Sequence, residues 1–267
     1  GCVHVVAGFF ALGVTINLGA RIGRFAKDGS PITIKGHSMP MTIIGLMLII
    51  VGFFGFLGGC MIYVGGAQWE TIFGTPVTLS AVSFNTLMAF SGGIIGAYFM
   101  TRQPFWMMSG GLAGIVCSAP GLDLYSPPLA FLIGIFGGIA APLADKFITR
   151  TFKIDDAVGA FAVHGVSGMI GLIALGIFSG FPNVIDGAPD ISFTGQLIGA
   201  GVMALLGFIP GFGLSYMMAK IGFLRVPPKA EIAGLDLVEV PLEAYPESVP
   251  ASDTSSNSSI NTTTATV

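Results

Sequence analysis

Two histidines of this chain stand in nearly the same context. His4 lies in VHVVAGFFALGV, residues 3–14, and His164 in VHGVSGMIGLIALGI, residues 163–177. Both stretches read Val-His-x-Val-small-Gly and then run on without charge. One imidazole nitrogen can donate while the other accepts, so two such rings can satisfy each other as a neutral pair. A lone histidine here would ordinarily be a packed side chain bonded to a neighbouring carbonyl. The repeated motif shifts the weight to function, because ionisable groups inside apolar spans are costly and face a bundle interior or an aqueous path. The third histidine, His37, lies in a basic loop and reads as a solvated residue.

The elements that position these rings are apolar helices. The 267 residues are 53% hydrophobic and 9% charged, with a mean hydropathy of +0.85. A soluble domain is about 25% charged, so composition places the chain in a bilayer. The 40 glycines suit close approach of helices in lipid. Uncharged runs of near spanning length fall at 1–19, 40–64, 77–101, 104–119, 127–144, 157–179 and 193–219. These seven runs predict an all-α membrane protein, with 104–119 the shortest internal run.

Loop charge supports that count. The gaps 68–75, 119–126 and 179–192 hold Glu70, Asp123, Asp186 and Asp190 but no Lys or Arg. All eleven basic residues fall in the alternate gaps and after the last run. The positive-inside rule makes that side, and the C-terminus, cytoplasmic. The first histidine helix then runs inward and the second outward, as in an inverted repeat whose site lies between its halves.

Residues 1–222 read as the transmembrane domain and 223–267 as a cytoplasmic tail, acidic and proline-rich, whose last twenty or so residues are expected to be disordered. Asn257 and Asn261 sit in sequons that a cytoplasmic tail keeps from the glycosylation machinery. The start at Gly1, without a signal-like segment, leads us to expect a truncated N-terminus. Cys2, Cys60 and Cys117 have no metal-ligand spacing, and an odd number gives no disulfide framework. No cofactor motif is present, and no basic patch interleaved with aromatics suggests nucleic acid.

From these residues the chain resembles the ammonium transporter family, which includes ammonium transporters, methylammonium permeases and Rhesus proteins. The resemblance rests on GCVHVVAGFFALG with His4, GARIGRFAKDGSPITIKGHSMP, VGFFGFLGGC with Phe56, FNTL at 84–87, KIDDAVGAFAVHGVSGMIG with His164, and LRVPPKAEIAGLDLVEVPLEAY. It favours the ammonium transporter branch over Rhesus-type gas channels, and the long RIGRF loop is closest to plant and animal forms.

The resemblance implies an eleven-span, inverted-repeat helical bundle, of which this chain holds spans five to eleven, and a homotrimer in the plasma membrane. It also implies a pore for ammonium, ammonia and methylammonium. There the cation loses its proton near a gate, ammonia passes a twin-histidine pair, here His4 and His164, and the pair relays the proton. Phe56 takes the place of the inner gate phenylalanine, although Phe53 and Phe54 adjoin it. Leu57 and Cys60 are its recruitment neighbours, and Ala160 and Val163 line the pore near His164. Gly234 and Asp236 belong to the regulatory tail, which docks on the bundle or on a cytoplasmic regulatory protein.

The chain departs from the family at several of these places. Phe-Leu-Gly-Gly-Cys at 56–60 replaces the usual Phe-Asn-x-Gly-Ser, Gly159 stands where an acidic residue is common, and Val240-Pro241 replaces His-Gly. The weakened recruitment segment keeps a second reading open, an ammonium sensor with little flux. A water or glycerol channel would need paired Asn-Pro-Ala half-helices, which are missing. Without a nucleophile arrangement the chain reads as no enzyme. The Asp155–Asp156 pair is expected to cap the helix that follows.

Overall fold

The structure, a computed structural model, describes residues 1–62, 77–178, 190–235 and 238. The chain divides into two units, Gly1–Leu224 and Arg225–Val267. Among the described residues of the first, the regular structure is helical, apart from an isolated antiparallel bridge between Phe25 and Pro31. Its helices are α1 (His4–Leu18), α2 (Met39–Ile62), α3 (Leu79–Thr101), α4 (Pro104–Ser118), α5 (Pro127–Phe152), α6 (Ser167–Ile177) and α7 (Phe193–Lys220). A π-helical segment, Phe161–Val166, leads directly into α6.

Local chemistry fixes the helix starts. The hydroxyl oxygens of Thr78 and Ser192 each accept from a backbone N–H three residues on, at 3.1 Å. Pro104 and Pro127 open α4 and α5, where a missing N–H costs nothing. The helix α5 runs on to Phe152, past the charge-free stretch that ends at 144, because Asp145, Lys146 and Arg150 continue it beyond the apolar part. Among the described residues, four helices (α2, α3, α5 and α7) are long and apolar enough to cross a membrane. The helix α4 is shorter and almost sealed, with Ser109 to Ser118 buried throughout. Apolar side chains such as Met47, Leu48 and Val51 on α2, and Ile198, Leu205 and Ile209 on α7, stay exposed. Such faces suit hydrocarbon rather than water.

Glycine contacts give the helix directions. Gly93 meets Gly110 and Ala89 meets Gly114, so α3 and α4 run antiparallel. Ala89 meets Gly134 and Gly93 meets Gly138, so α3 and α5 run parallel. On α1 and α7, Val6 meets Gly207 and Phe10 meets Gly211, which is again parallel. These pairs have the relative directions that strict alternation of the spans requires. Just past α5, the ammonium of Lys153 donates to the carbonyl of Gly29, in the loop that follows α1, at 2.7 Å.

The aspartate pair divides its work. Asp156 caps the π segment as expected, its two oxygens accepting from the N–H groups of Ala160 and Phe161 at 2.8 Å each. Asp155 does not cap. Its carboxylate, 2% exposed, accepts from Arg21 at 2.7 Å and Arg24 at 3.0 Å, fastening the loop after α1 to the approach to α6. Burial alone would raise the Asp155 carboxyl, but the Arg21 side chain and N–H and the Arg24 guanidinium outweigh it and hold it below its ordinary value. Gly159 follows with φ of 73°, a conformation that favours glycine, and a Cβ there would meet the Trp106 ring. This backbone shape accounts for glycine in place of an acidic residue.

The second unit holds α8 (Pro228–Ala233), where Arg225 pairs with Glu231 at 2.9 Å. Gly234, with φ of 96°, ends that helix through its N–H to the Ala230 carbonyl. Asp236 and Val240-Pro241 lie outside the described residues.

Two stability predictions follow from this packing. A Cβ on Gly138 would enter the Gly93 backbone. Gly138→Ala is therefore expected to cost about 1–3 kcal/mol in thermal unfolding in detergent, while Gly45→Ala, with open space around it, leaves stability unchanged or higher. Asp155→Ala removes the buried carboxylate that Arg21 and Arg24 share and is expected to cost about 3 kcal/mol. The carboxylate's stabilisation is complete above the ordinary aspartate value of about 4. It is lost as pH falls through the lower folded value, and a pH series of unfolding temperatures checks the sign.

Candidate functional site

The site is built where α1 crosses the π segment. Val5 packs on Gly168, Gly8 on Gly165, and Phe9 stands edge-on to Phe161 at 5.2 Å. Farther along, Arg21 holds Asp155. Partners descend along one element as they ascend along the other, so the two histidine helices run antiparallel. At Gly8 and Gly165 the backbones touch, and a Cβ on Gly8 would overlap the backbone of Gly165. Glycine at both positions is what permits that distance.

The crossing brings His4 and His164 together across 160 positions of sequence, Nδ1 to Nδ1 at 3.1 Å. Their rings lie 5.1 Å apart between centroids and 10° from parallel. A bond between two Nδ1 atoms needs one donor and one acceptor, so the rings hold opposite tautomers. The remaining ring nitrogen of His4, Nε2, is buried and has no protein partner. His164 sits inside the π segment, a geometry that recurs at functional sites.

From α2, two aromatic rings reach His4. Phe53 stacks on it at 6.0 Å and 18°, and Phe56 meets it edge-on at 6.2 Å and 80°. Phe53 is nearly buried, whereas Phe56 is 43% exposed. Sequence reasoning settled on Phe56 and passed over Phe53. Their spacing of three, which places both on one helix face, is the signal that could have found it.

Two cavities meet at His4. The larger, about 370 Å³, is lined by His4, Phe56, Leu57 and Cys60 together with Gly168 and Asp123. The smaller, about 280 Å³, is apolar and lies between Val3, His4, Ile49, Gly52, Phe53 and Phe56. Leu57 is buried and Cys60 exposed along the larger cavity. Ala160 and Val163 line neither cavity. Val163 belongs to the core, and the Ala160 N–H is engaged by Asp156. Asn85, in the FNTL stretch, was no candidate, yet its amide donates to the carbonyls of Leu122 and Tyr125 at 2.8 Å and pins the loop that borders the cavity. Among the described residues, no group of three or more His, Cys, Asp or Glu could hold a metal ion.

Comparison with known proteins agrees with this architecture. The model of the Ammonium Transporter Family matches residues 1–245. Ammonium transporter Amt2 of Methanocaldococcus jannaschii is 36% identical over 251 residues, covering 92% of this chain and 55% of the relative. Ammonium transporter Amt1 of the same organism is 36% identical over 248 residues, with 92% and 60% covered. The chain thus spans a little over half the length of these relatives. Both are archaeal, which departs from the plant and animal forms that the length of the RIGRF loop leads one to expect; loop length is a poor guide because it varies more freely than the elements it joins.

Among solved structures, one titled Sensor Amt Protein superposes with a TM-score of 0.73 at 31% identity, covering 89% of this chain and 58% of that one. Candida albicans Mep2 superposes at 0.68 and 23% identity, a likeness of fold, covering 89% and 54%. The matched relatives are named as transporters rather than enzymes. With its apolar spans, alternating helices and matched sequence, this chain is a multi-pass membrane protein that belongs to the ammonium transporter family.

Proposed function

We propose that this protein moves ammonium, as ammonia and a proton, across the plasma membrane through a pore that passes the His4–His164 pair. The observation that carries the reading is the 3.1 Å Nδ1–Nδ1 bond between two part-buried imidazoles on antiparallel helices. A cation entering an apolar passage unpaired would lose its hydration without compensation. Neutral ammonia avoids most of that cost, so the proton must separate from it.

The pair offers a route for that proton. The ring that donates through Nδ1 has a bare Nε2, and the ring that accepts carries its hydrogen on Nε2. A proton taken up at the bare Nε2 drives the shared hydrogen across the Nδ1–Nδ1 bond, and the far Nε2 releases a proton. One proton enters, one leaves, and the tautomers exchange roles. Phe56 stands at the approach to His4 as the gate, with Phe53 closing the opposite, apolar side. Methylammonium fits the same path as a slightly larger amine.

In this reading the protein works as a homotrimer in the bilayer, with the C-terminus in the cytoplasm. Residues 1–222 form the transmembrane domain, and the tail from 223 regulates it through Gly234 and Asp236, by docking or through a cytoplasmic partner. A sensor with little flux is the second reading. It is favoured by the solved structure titled Sensor Amt Protein and by Leu57 and Cys60, whose side chains offer less to a cation than amide and hydroxyl groups.

Methylammonium uptake and current, measured with the full-length protein in cells lacking their own ammonium transporters, test the proposal. His4→Ala or His164→Ala leaves one buried Nδ1 unpartnered, at about 1–3 kcal/mol. Charge-coupled uptake is expected to fall about tenfold or more in each variant. Wild-type coupling that survives both substitutions rules out the histidine relay. Binding of methylammonium without flux selects the sensor instead.

A further inference from the structure

Beside the loop that borders the larger cavity, two buried polar atoms have no protein partner among the described residues. They are Oδ1 of Asn85, on α3, and the hydroxyl of Tyr125, in the loop 119–126. Asn85 is 2% exposed and Tyr125 1%. Neither belongs to the histidine pair or the gate.

Both side chains are held in place. The Asn85 amide donates to the carbonyls of Leu122 and Tyr125 at 2.8 Å each, so its oxygen is kept against the same loop. The Tyr125 N–H donates to the Gly121 carbonyl at 2.8 Å. Its ring lies against Gly121, where a Cβ would enter the ring, and meets Phe178 edge-on at 5.9 Å. Hydroxyls that could have served are already engaged. Thr86, beside Asn85 in sequence, donates to the Val82 carbonyl at 2.8 Å, and Ser118 donates to the Ala130 carbonyl at 3.1 Å.

A phenol or amide oxygen sealed away without a bond is costly, and native cores contain few of them. The needs of these two atoms are complementary. The Asn85 oxygen can only accept, whereas the Tyr125 hydroxyl can donate or accept. Burial raises the phenol above its ordinary value, so it keeps its proton. The neighbours Leu122, Leu124 and Ala130 are apolar and buried, so an ion here would lose its hydration without compensation. What meets both demands is a small neutral molecule that donates and accepts.

We infer that ordered water is built into this core, donating to Asn85 Oδ1 and bonded to the Tyr125 hydroxyl. It joins α3 to the loop after α4 and so helps to fix the wall of the larger cavity. Water held in this way is a structural part of the protein, bonded to groups that nothing else satisfies. It also gives the phenol oxygen of Tyr125 a task that a phenylalanine ring could not perform.

Two measurements on the full-length protein test this: a structure at a resolution that shows water, and thermal unfolding of Tyr125→Phe in detergent. Water density is expected about 2.8 Å from Asn85 Oδ1 and from the Tyr125 hydroxyl. Tyr125→Phe keeps the ring and is expected to lower the unfolding temperature by about 2–4 °C, because the water loses a partner. A hydroxyl that truly lacked a bond would give the opposite sign, since phenylalanine removes a stranded polar group. An unchanged or raised unfolding temperature therefore overturns the inference. Density that shows no water at either atom, or a protein group in its place, overturns it whatever the temperature.

Discussion

The antiparallel crossing of α1 and the π segment governs the rest of this structure. Gly8 and Gly165 let two backbones touch, and every functional contact scales from that point. Toward one end the crossing sets the two imidazoles at bonding distance. Toward the other it delivers Arg21 and Arg24 to Asp155. Lipid gives apolar helices no hydrophobic reason to associate, so close packing and polar anchors must do that work. A buried ion pair contributes little net stability by itself, but it penalises wrong registers heavily, because either partner alone would be left charged and unpaired. The anchor thereby helps to hold the helix register on which a 3.1 Å bond depends.

The same economy of small residues shapes the neighbouring helices. The packing of α3 against α4 and α5 runs through Gly93, Gly110, Gly134 and Gly138, each set against backbone or an alanine methyl. This core also supports the cavity wall, since Asn85 on α3 holds the loop that follows α4. Around the pair the environment divides. One cavity at His4 is wholly apolar, and the other includes a carboxylate, a thiol and an aromatic ring. A passage that must strip a cation of its proton benefits from such a boundary, with charge tolerated on one side and excluded on the other.

Much of this was legible in the chain. Period and composition gave seven helical segments, because an apolar run without charge has few places to go but the bilayer. The relative directions of α3, α4 and α5, and of α1 and α7, agree with the alternation that the segregation of Lys and Arg predicts. The repeated Val-His motif marked the residues that meet, since a histidine in such a run is costly enough to need a reason. The family likewise follows from residues quoted one motif at a time, and the match over 1–245 agrees.

What only the tertiary structure decided concerns direction and partnership. Two adjacent aspartates look alike in sequence, yet Asp156 caps a helix and Asp155 grips two arginines more than 130 positions away. Three phenylalanines stand within four positions, and only the helix's placement shows that Phe53 and Phe56 both turn to His4. Leu57 and Cys60 are neighbours of Asp123 only because their helix and its loop border the same cavity. The reason is physical. Sequence fixes which side chains must be buried or paired, through local free-energy costs that each residue carries alone. Which partner satisfies them depends on long-range approach, and that is set by where glycines allow helices to touch.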